Sequence, residues 1–199
     1  MEHSKLQLSA EELELVRNSD WILTKHSIIE KVSQMFGNLA ETVRQDLEEF
    51  GSALPAEWQE APKISRGEKY EQMPWVVLDY PRYFSREDIC SVRHFFWWGH
   101  YFTTTLHLKN RFYRQAYPKI QQAVARGALN DFYVSFSGNE FAFNLEAGDY
   151  QLLNPADGAS LTPGHEFFKL SRKLEFDNWG AAPAELLATA RQLLTLMAG

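Results

Sequence analysis

The chain has 199 residues, 45% of them hydrophobic and 23% charged, with a net charge of −6. That length supports one well-buried core, so residues 1–199 are read as a single domain. The acidic balance argues against nucleic acid or an anionic membrane as a partner, since both select basic surfaces. A lone cysteine, Cys90, forms no internal disulfide and builds no thiolate metal site by itself. No window approaches the roughly 18–20 apolar residues of a membrane span, and the start of the chain has no apolar signal segment, so a cytoplasmic location is expected. Aromatic residues reach 14%, which predicts an aromatic-rich core, pocket or interface.

Ser9 followed by Glu11 and Glu12 predicts a helix start, the hydroxyl capping free N–H groups and the acids favouring the positive helix end. This short helix is expected to reach Asn18. A longer helix follows, marked by an apolar stripe through Ile28, Val32, Met35, Leu39, Val43, Leu47 and Phe50. Gly37 interrupts it, as a bend or a close contact, and Gly51 ends it. Residues 52–73 read as loop, with Lys63-Ile64-Ser65 as a short edge strand. Trp75-Val76-Val77-Leu78 reads as a strand ended by Pro81, and Ser85-Arg86-Glu87-Asp88 as the start of a brief helix.

Residues 93–108 hold six aromatic carbocycles and three histidines. The even positions (His94, Phe96, Trp98, His100, Phe102) and the odd ones (Phe95, Trp97, Tyr101) are both rich in rings. That pattern predicts a central strand covered on both faces, with a bulge at Gly99. Asn110 to Arg126 reads as helical, with Tyr113, Tyr117, Ile120 and Val124 on one face; Pro118 fits best in a first turn, so the main helix is expected to start near Tyr117, and Gly127 ends it. Phe132, Val134, Phe136 and Phe141, Phe143, Leu145 alternate on either side of Gly138-Asn139 and predict a hairpin. Residues 147–164 are turn-rich. Phe168, Leu170, Arg172 and Leu174 share one face of a last strand, with Lys169, Ser171 and Lys173 opposite, and a final helix begins near Pro183. Helices and strands do not alternate regularly, so the predicted class is α+β: a mainly antiparallel sheet of five to six strands packed against N-terminal, central and C-terminal helices.

No phosphate-cradling glycine loop, zinc motif or nucleophile elbow occurs. His94 and His100, six apart on one strand, would lie about 20 Å apart at ~3.3 Å per residue. Sharing a metal would require a bulge and further ligands such as His165 or Asp79, so neither a metal nor a cofactor is expected. Cys90 and His94 would share a helical face, a weak nucleophile–base pattern beside the ordinary reading of a buried, inert thiol. Arg172 between two leucines calls for a partner, either an internal carboxylate (Asp79, Glu140 or Asp177) or a ligand anion. Arg82, near Asp79 among basic and aromatic residues, either pins a turn or contacts an anion. Lys63 to Leu108, and Phe168 to Leu174 with Trp179, resemble an uncharacterised family of bacterial proteins. The resemblance spans about half the chain and implies bacterial origin and cytoplasmic location but no residue role.

The leading expectation is a protein that binds a small anionic or aromatic ligand in a pocket lined by Trp97, Trp98, His100 and Tyr101, with Arg172 or Arg82 as anion anchor. One alternative is an enzyme without a familiar motif in which His100, beside an acidic residue in a cleft, works as acid or base. Another is an interaction protein whose exposed aromatics form a homodimer.

Overall fold

The computed structural model describes residues 6–51, 55, 57–58, 60–136, 138–154, 161 and 166–197. The fold is α+β, with seven strands among the described residues rather than five to six. They are β1 (Lys63–Tyr70), β2 (Met73–Phe84), β3 (Ile89–Trp97), β4 (Tyr101–Lys109), β5 (Phe132–Ser135), β6 (Tyr150–Leu152) and β7 (Phe167–Leu174). They form one sheet in the order β1-β2-β3-β4-β7-β5-β6, and every pairing is antiparallel.

Among the described residues four α-helices accompany the sheet: α1 (Ala10–Arg17), α2 (Ser19–Phe50), α3 (Arg111–Ala125) and α4 (Ala182–Met197). At α1 the Ser9 hydroxyl accepts from Glu12 N–H at 3.1 Å, and the Glu12 carboxylate accepts from Ser9 N–H at 2.7 Å. This reciprocal cap fixes the helix start although the helix buries no residue. Helix α2 starts earlier than its apolar stripe because the Asn18 side chain caps Trp21 N–H at 3.2 Å. Its 32 residues span about 48 Å at ~1.5 Å each. Ile29, Val32, Phe36, Leu39 and Val43 face the sheet. A methyl group at Gly37 would meet no neighbouring atom, so this glycine serves no close packing.

Helices α2, α3 and α4 cover one face of the sheet. The core between them takes the even-numbered side chains of β3 and β4, including Val92, Phe96, Phe102 and Leu106. Each fully buried side chain of this size contributes roughly 1.5–3 kcal/mol. Arg191 of α4 grips Asp46 of α2 through two bonds of 2.8 Å, closing the helical layer at its rim.

Several local expectations differ from the structure. The aromatic run is two strands, not one: Trp98-Gly99-His100 is a tight turn, with Gly99 at φ +76° and His100 N–H bonded to Trp97 O at 3.1 Å. Glycine reaches that backbone region without a Cβ penalty, so what reads as a bulge reverses the chain. Residues 85–88 form a turn in place of the brief helix, with Asp88 N–H donating to the Ser85 hydroxyl at 2.9 Å. Strand β2 passes through Pro81 to Phe84, and its register shifts between Asp79 and Arg82. Helix α3 starts at Arg111 and takes Pro118 into its body. The hairpin about Gly138-Asn139 does not form. Strand β5 pairs with β6 and β7 instead, because tyrosine hydroxyls from the sheet capture the N–H groups of Phe143 and Leu145.

Candidate functional site

Strand side chains alternate between faces, so odd-numbered residues of β3, β4 and β7 point away from the helices. The pairing register sorts them into rows. Trp75, Trp97 and Tyr101 lie across one end, followed by Val77, Phe95, Thr103 and Lys173. Next come Asp79, Arg93, Thr105 and Ser171, and then Arg82, Ser91, His107 and Lys169. This second face therefore grades from aromatic to charged.

Residues 138–149 lie over it as a strap without regular secondary structure. Sheet side chains hold it. Tyr70 OH accepts from Phe143 N–H at 2.8 Å, Tyr101 OH accepts from Leu145 N–H at 2.8 Å, and Tyr150 OH donates to Ala142 O at 2.8 Å. Burial raises the pKa of all three phenols and keeps them protonated. Lys169 is fully buried, and its Nζ donates to the carbonyls of Glu140, at 3.2 Å, and Ala142. The same nitrogen sits 3.9 Å from the centre of the Phe143 ring. Burial pushes the Lys169 ammonium down to about 7, and the nearby Arg93 charge adds to the effect. A neutral amine keeps two N–H donors, enough for two carbonyls.

At the strap's edge, Glu140 Oε2 lies 3.4 Å from Lys109 Nζ, and its Oε1 lies 3.0 Å from His107 Nε2 but off the line of a hydrogen bond. His107 and Lys109 hold the Glu140 carboxyl below its ordinary pKa. Burial lowers the pKa of His107, with Glu140 acting against it.

Where the strap meets β1–β3 there is a cleft of about 220 Å³, walled by Tyr70, Trp75, Val77, Phe95 and Phe143, with Lys63, Ser65, Asp79 and Arg93 as its polar groups. That volume suits a fragment of about one ring, below the 300–1,000 Å³ usual for larger ligands. Arg93 engages Asp79 side-on, Nε to Oδ1 at 2.6 Å and Nη2 to Oδ2 at 2.9 Å. Its Nη1 has no partner among the described residues, and its guanidinium lies 4.8 Å from the centre of the Phe143 ring. A larger open groove of about 610 Å³ between α2 and α4, around Trp179 and Leu187, has Lys31 as its one charged lining residue among the described residues. Four rings and the guanidinium that Asp79 fixes converge in the smaller cleft, which makes it the candidate site.

One wall depends on a glycine. Gly67 pairs with Trp75 across β1 and β2, and a Cβ at Gly67 would come within 2.6 Å of the Trp75 ring. Gly67→Ala is expected to tilt the indole out of the cleft and to cost about 1–3 kcal/mol, the usual range for overpacking. Near-ultraviolet circular dichroism and urea unfolding check this; an unchanged tryptophan spectrum would contradict it.

The six residues expected to form one pocket do not meet in one. Trp97 and Tyr101 are buried on the second face, with Tyr101 serving the strap. The half-buried His100 lies in the turn, its ring stacked on Trp97 at 3.5 Å and 11°, without an acidic partner among the described residues. Trp98 faces the helices and stacks on Trp21 at 6.3 Å. Arg172 pairs with Asp131 at 2.6 Å, none of the three carboxylates expected from the sequence. Arg82 pairs with Glu60 at 2.7 Å and with the carbonyl of Ala61 at 2.8 Å. Cys90 and His94 lie on a strand, both fully buried in the helix-side core, where burial drives the thiol pKa up. His165 lies outside the described residues. Among the described residues no group of three His, Cys, Asp or Glu side chains is placed to hold a metal ion, and no helix is long and apolar enough to cross a membrane.

Sequence reasoning missed Arg93 as an anchor, Lys169 as a buried charge, and Phe143 as a wall. A signal was present for Lys169. Rings on both faces of β3 and β4 require cover on both faces, and that cover extends to the strand beside them. Comparison with protein-family models, with curated proteins and with solved structures finds no match, so the functional reading rests on the chemistry of the cleft.

Proposed function

We propose that this protein binds a small ligand combining a flat apolar ring with an anionic group, in the cleft between Trp75 and Phe143. The ring lies among Tyr70, Trp75, Phe95 and Phe143, where offset or edge contacts favour aromatic groups. The anion meets Nη1 of Arg93, with Lys63 at the mouth. The observation that carries this reading is the side-on Arg93–Asp79 pair, which fixes the guanidinium and leaves one edge without a partner in an aromatic-walled cleft. A planar guanidinium suits carboxylate or phosphate recognition. The acidic composition and single cysteine support a cytoplasmic protein without nucleic acid or membrane partners.

Titration with benzoate and phenyl phosphate, followed by NMR, tests the proposal. The Trp75 indole N–H and Arg93 Nε–H signals are expected to shift together and to saturate in the millimolar range or below. Arg93→Gln is expected to weaken binding about tenfold or more, in line with loss of a charge-assisted contact. Equal binding by that variant, or shifts scattered away from the cleft, would refute the reading.

A further inference from the structure

We propose that the sheet face beneath residues 138–149 is an oxyanion-binding surface that the strap keeps covered with its own carboxylates, and that an anionic ligand of the cleft competes with the strap for it. This deepens the cleft reading and rests on it.

The charge of the face supports the proposal. The pairing register directs Lys63, Arg82, Arg93, Lys109, Lys169 and Lys173 to this side, and Asp79 is the one carboxylate that the strands place there among the described residues. Such a concentration of cations runs against the chain's net charge of −6. The strap supplies the compensation: Glu140 faces Lys109 and His107, and Glu146 lies 3.1 Å from Lys173. Glu60 serves Arg82 and Glu175 serves Lys173 from outside the strap. Lys63 and Lys169 have no carboxylate within ion-pair distance among the described residues.

The strap is an imperfect occupant. Ser91 Oγ, beside His107 across β3 and β4, is buried without a hydrogen-bond partner, and His107 Nε2 and Glu140 Oε1, although 3.0 Å apart, meet off the line of a hydrogen bond. Buried polar atoms left unsatisfied are costly. A tetrahedral oxyanion carries more acceptor oxygens than the Glu140 carboxylate, and could satisfy Ser91 and His107 together. The strap is also held loosely in a topological sense. Among the described residues its backbone–backbone bonds are Ala142 N–H to Asn139 O, within it, and Phe136 N–H to Asp149 O, at its base. Its grip on the face runs through side chains, so it can open at a fraction of the cost of unfolding a strand.

Hydrogen exchange of the Phe143 and Leu145 amides, with inorganic phosphate, phenyl phosphate or sodium chloride at matched ionic strength, tests the proposal. Both phosphates are expected to speed exchange at these amides, and sodium chloride is expected to do so far less. Glu140→Gln is expected to raise the basal exchange and to tighten phosphate binding about tenfold, because it enlarges the open, binding-competent fraction. Glu146→Gln is a milder second variant with the same direction. If phenyl phosphate saturates the Trp75 and Arg93 signals while strap exchange stays unchanged, the covered surface is refuted and the cleft reading stands. If neither group of signals responds, both fall. Equal acceleration by sodium chloride means simple screening and overturns the proposal.

Discussion

Acidification from pH 7 to pH 4 is expected to cost the fold about 3 kcal/mol through His94 alone, and His94→Leu is expected to abolish that loss. His94 sits fully buried on the helix-side face, its Nδ1 3.0 Å from the Thr104 hydroxyl and its Nε2 without a partner. Burial pushes its pKa down to about 3 from an ordinary 6.5. Between those values the unfolded chain takes up a proton that the folded chain refuses. Stability is therefore complete above pH 6.5 and falls as pH drops toward 3. At pH 7 the leucine variant should lose only about 1 kcal/mol, for a Thr104 hydroxyl left without its partner. Urea unfolding at pH 7, 5.5 and 4 decides the matter. If wild type and variant lose stability in parallel, His94 is not the group responsible.

The second large effect is expected from Lys169→Met. The buried ammonium titrates near 7 in the folded protein against 10.5 when free, so above pH 7 the unfolded chain holds more protons than the folded one. Stability must then rise with pH across that window, by about 2–3 kcal/mol between pH 6 and pH 9. The groups facing this nitrogen are Arg93 from β3, which disfavours its charge, and Glu140 and Asp149 from the strap, which favour it. His107, beside it on β4, has a lowered pKa and so also gains stability as pH rises. Lys169→Met removes most of the slope. It also leaves the Glu140 carbonyl without its donor, at about 1–3 kcal/mol where it stays buried, and takes one of two donors from the Ala142 carbonyl, which keeps the Tyr150 hydroxyl. The variant should therefore fall well below wild type at pH 9 and approach it at pH 6. Urea midpoints at both values give the comparison, and a slope unchanged by the substitution would rule out Lys169 as its source.

The sequence patterns that depend on local spacing were legible. The helix start at Ser9, the stripe of α2 and the alternation of β7 all follow from residues within a few positions of one another. The two faces of the aromatic run were also readable, and they survive the discovery that the run is a hairpin. Three residues link Trp97 to its partner Tyr101, so even positions still oppose even ones, and Phe96 meets Phe102. What stayed hidden depends on segments distant in sequence. Phe143 reaches Arg93 from fifty positions away because Tyr70 and Tyr101 bind the strap backbone. Alternation around Gly138 gave no hint of this, since a strap packed on a sheet and a strand within it bury the same residue types. Lys169 is unreadable at its own position for a related reason, because a polar residue opposite an apolar strand face looks the same whether water or another part of the chain covers it; the sign of its cover lies in the rings of β3 and β4 beside it.

The order of strands has a consequence for how copies of this protein meet one another. Among the described residues the sheet ends on β1 at one side, with Lys63, Arg66, Glu68 and Lys69 along it, and on the three-residue β6 at the other. A charged margin and a very short one are both poor templates for an incoming strand. Growth of the sheet from molecule to molecule is thereby discouraged at either border. That protection is valuable in a chain whose β3 and β4 would, if unpaired, be among its most adhesive segments.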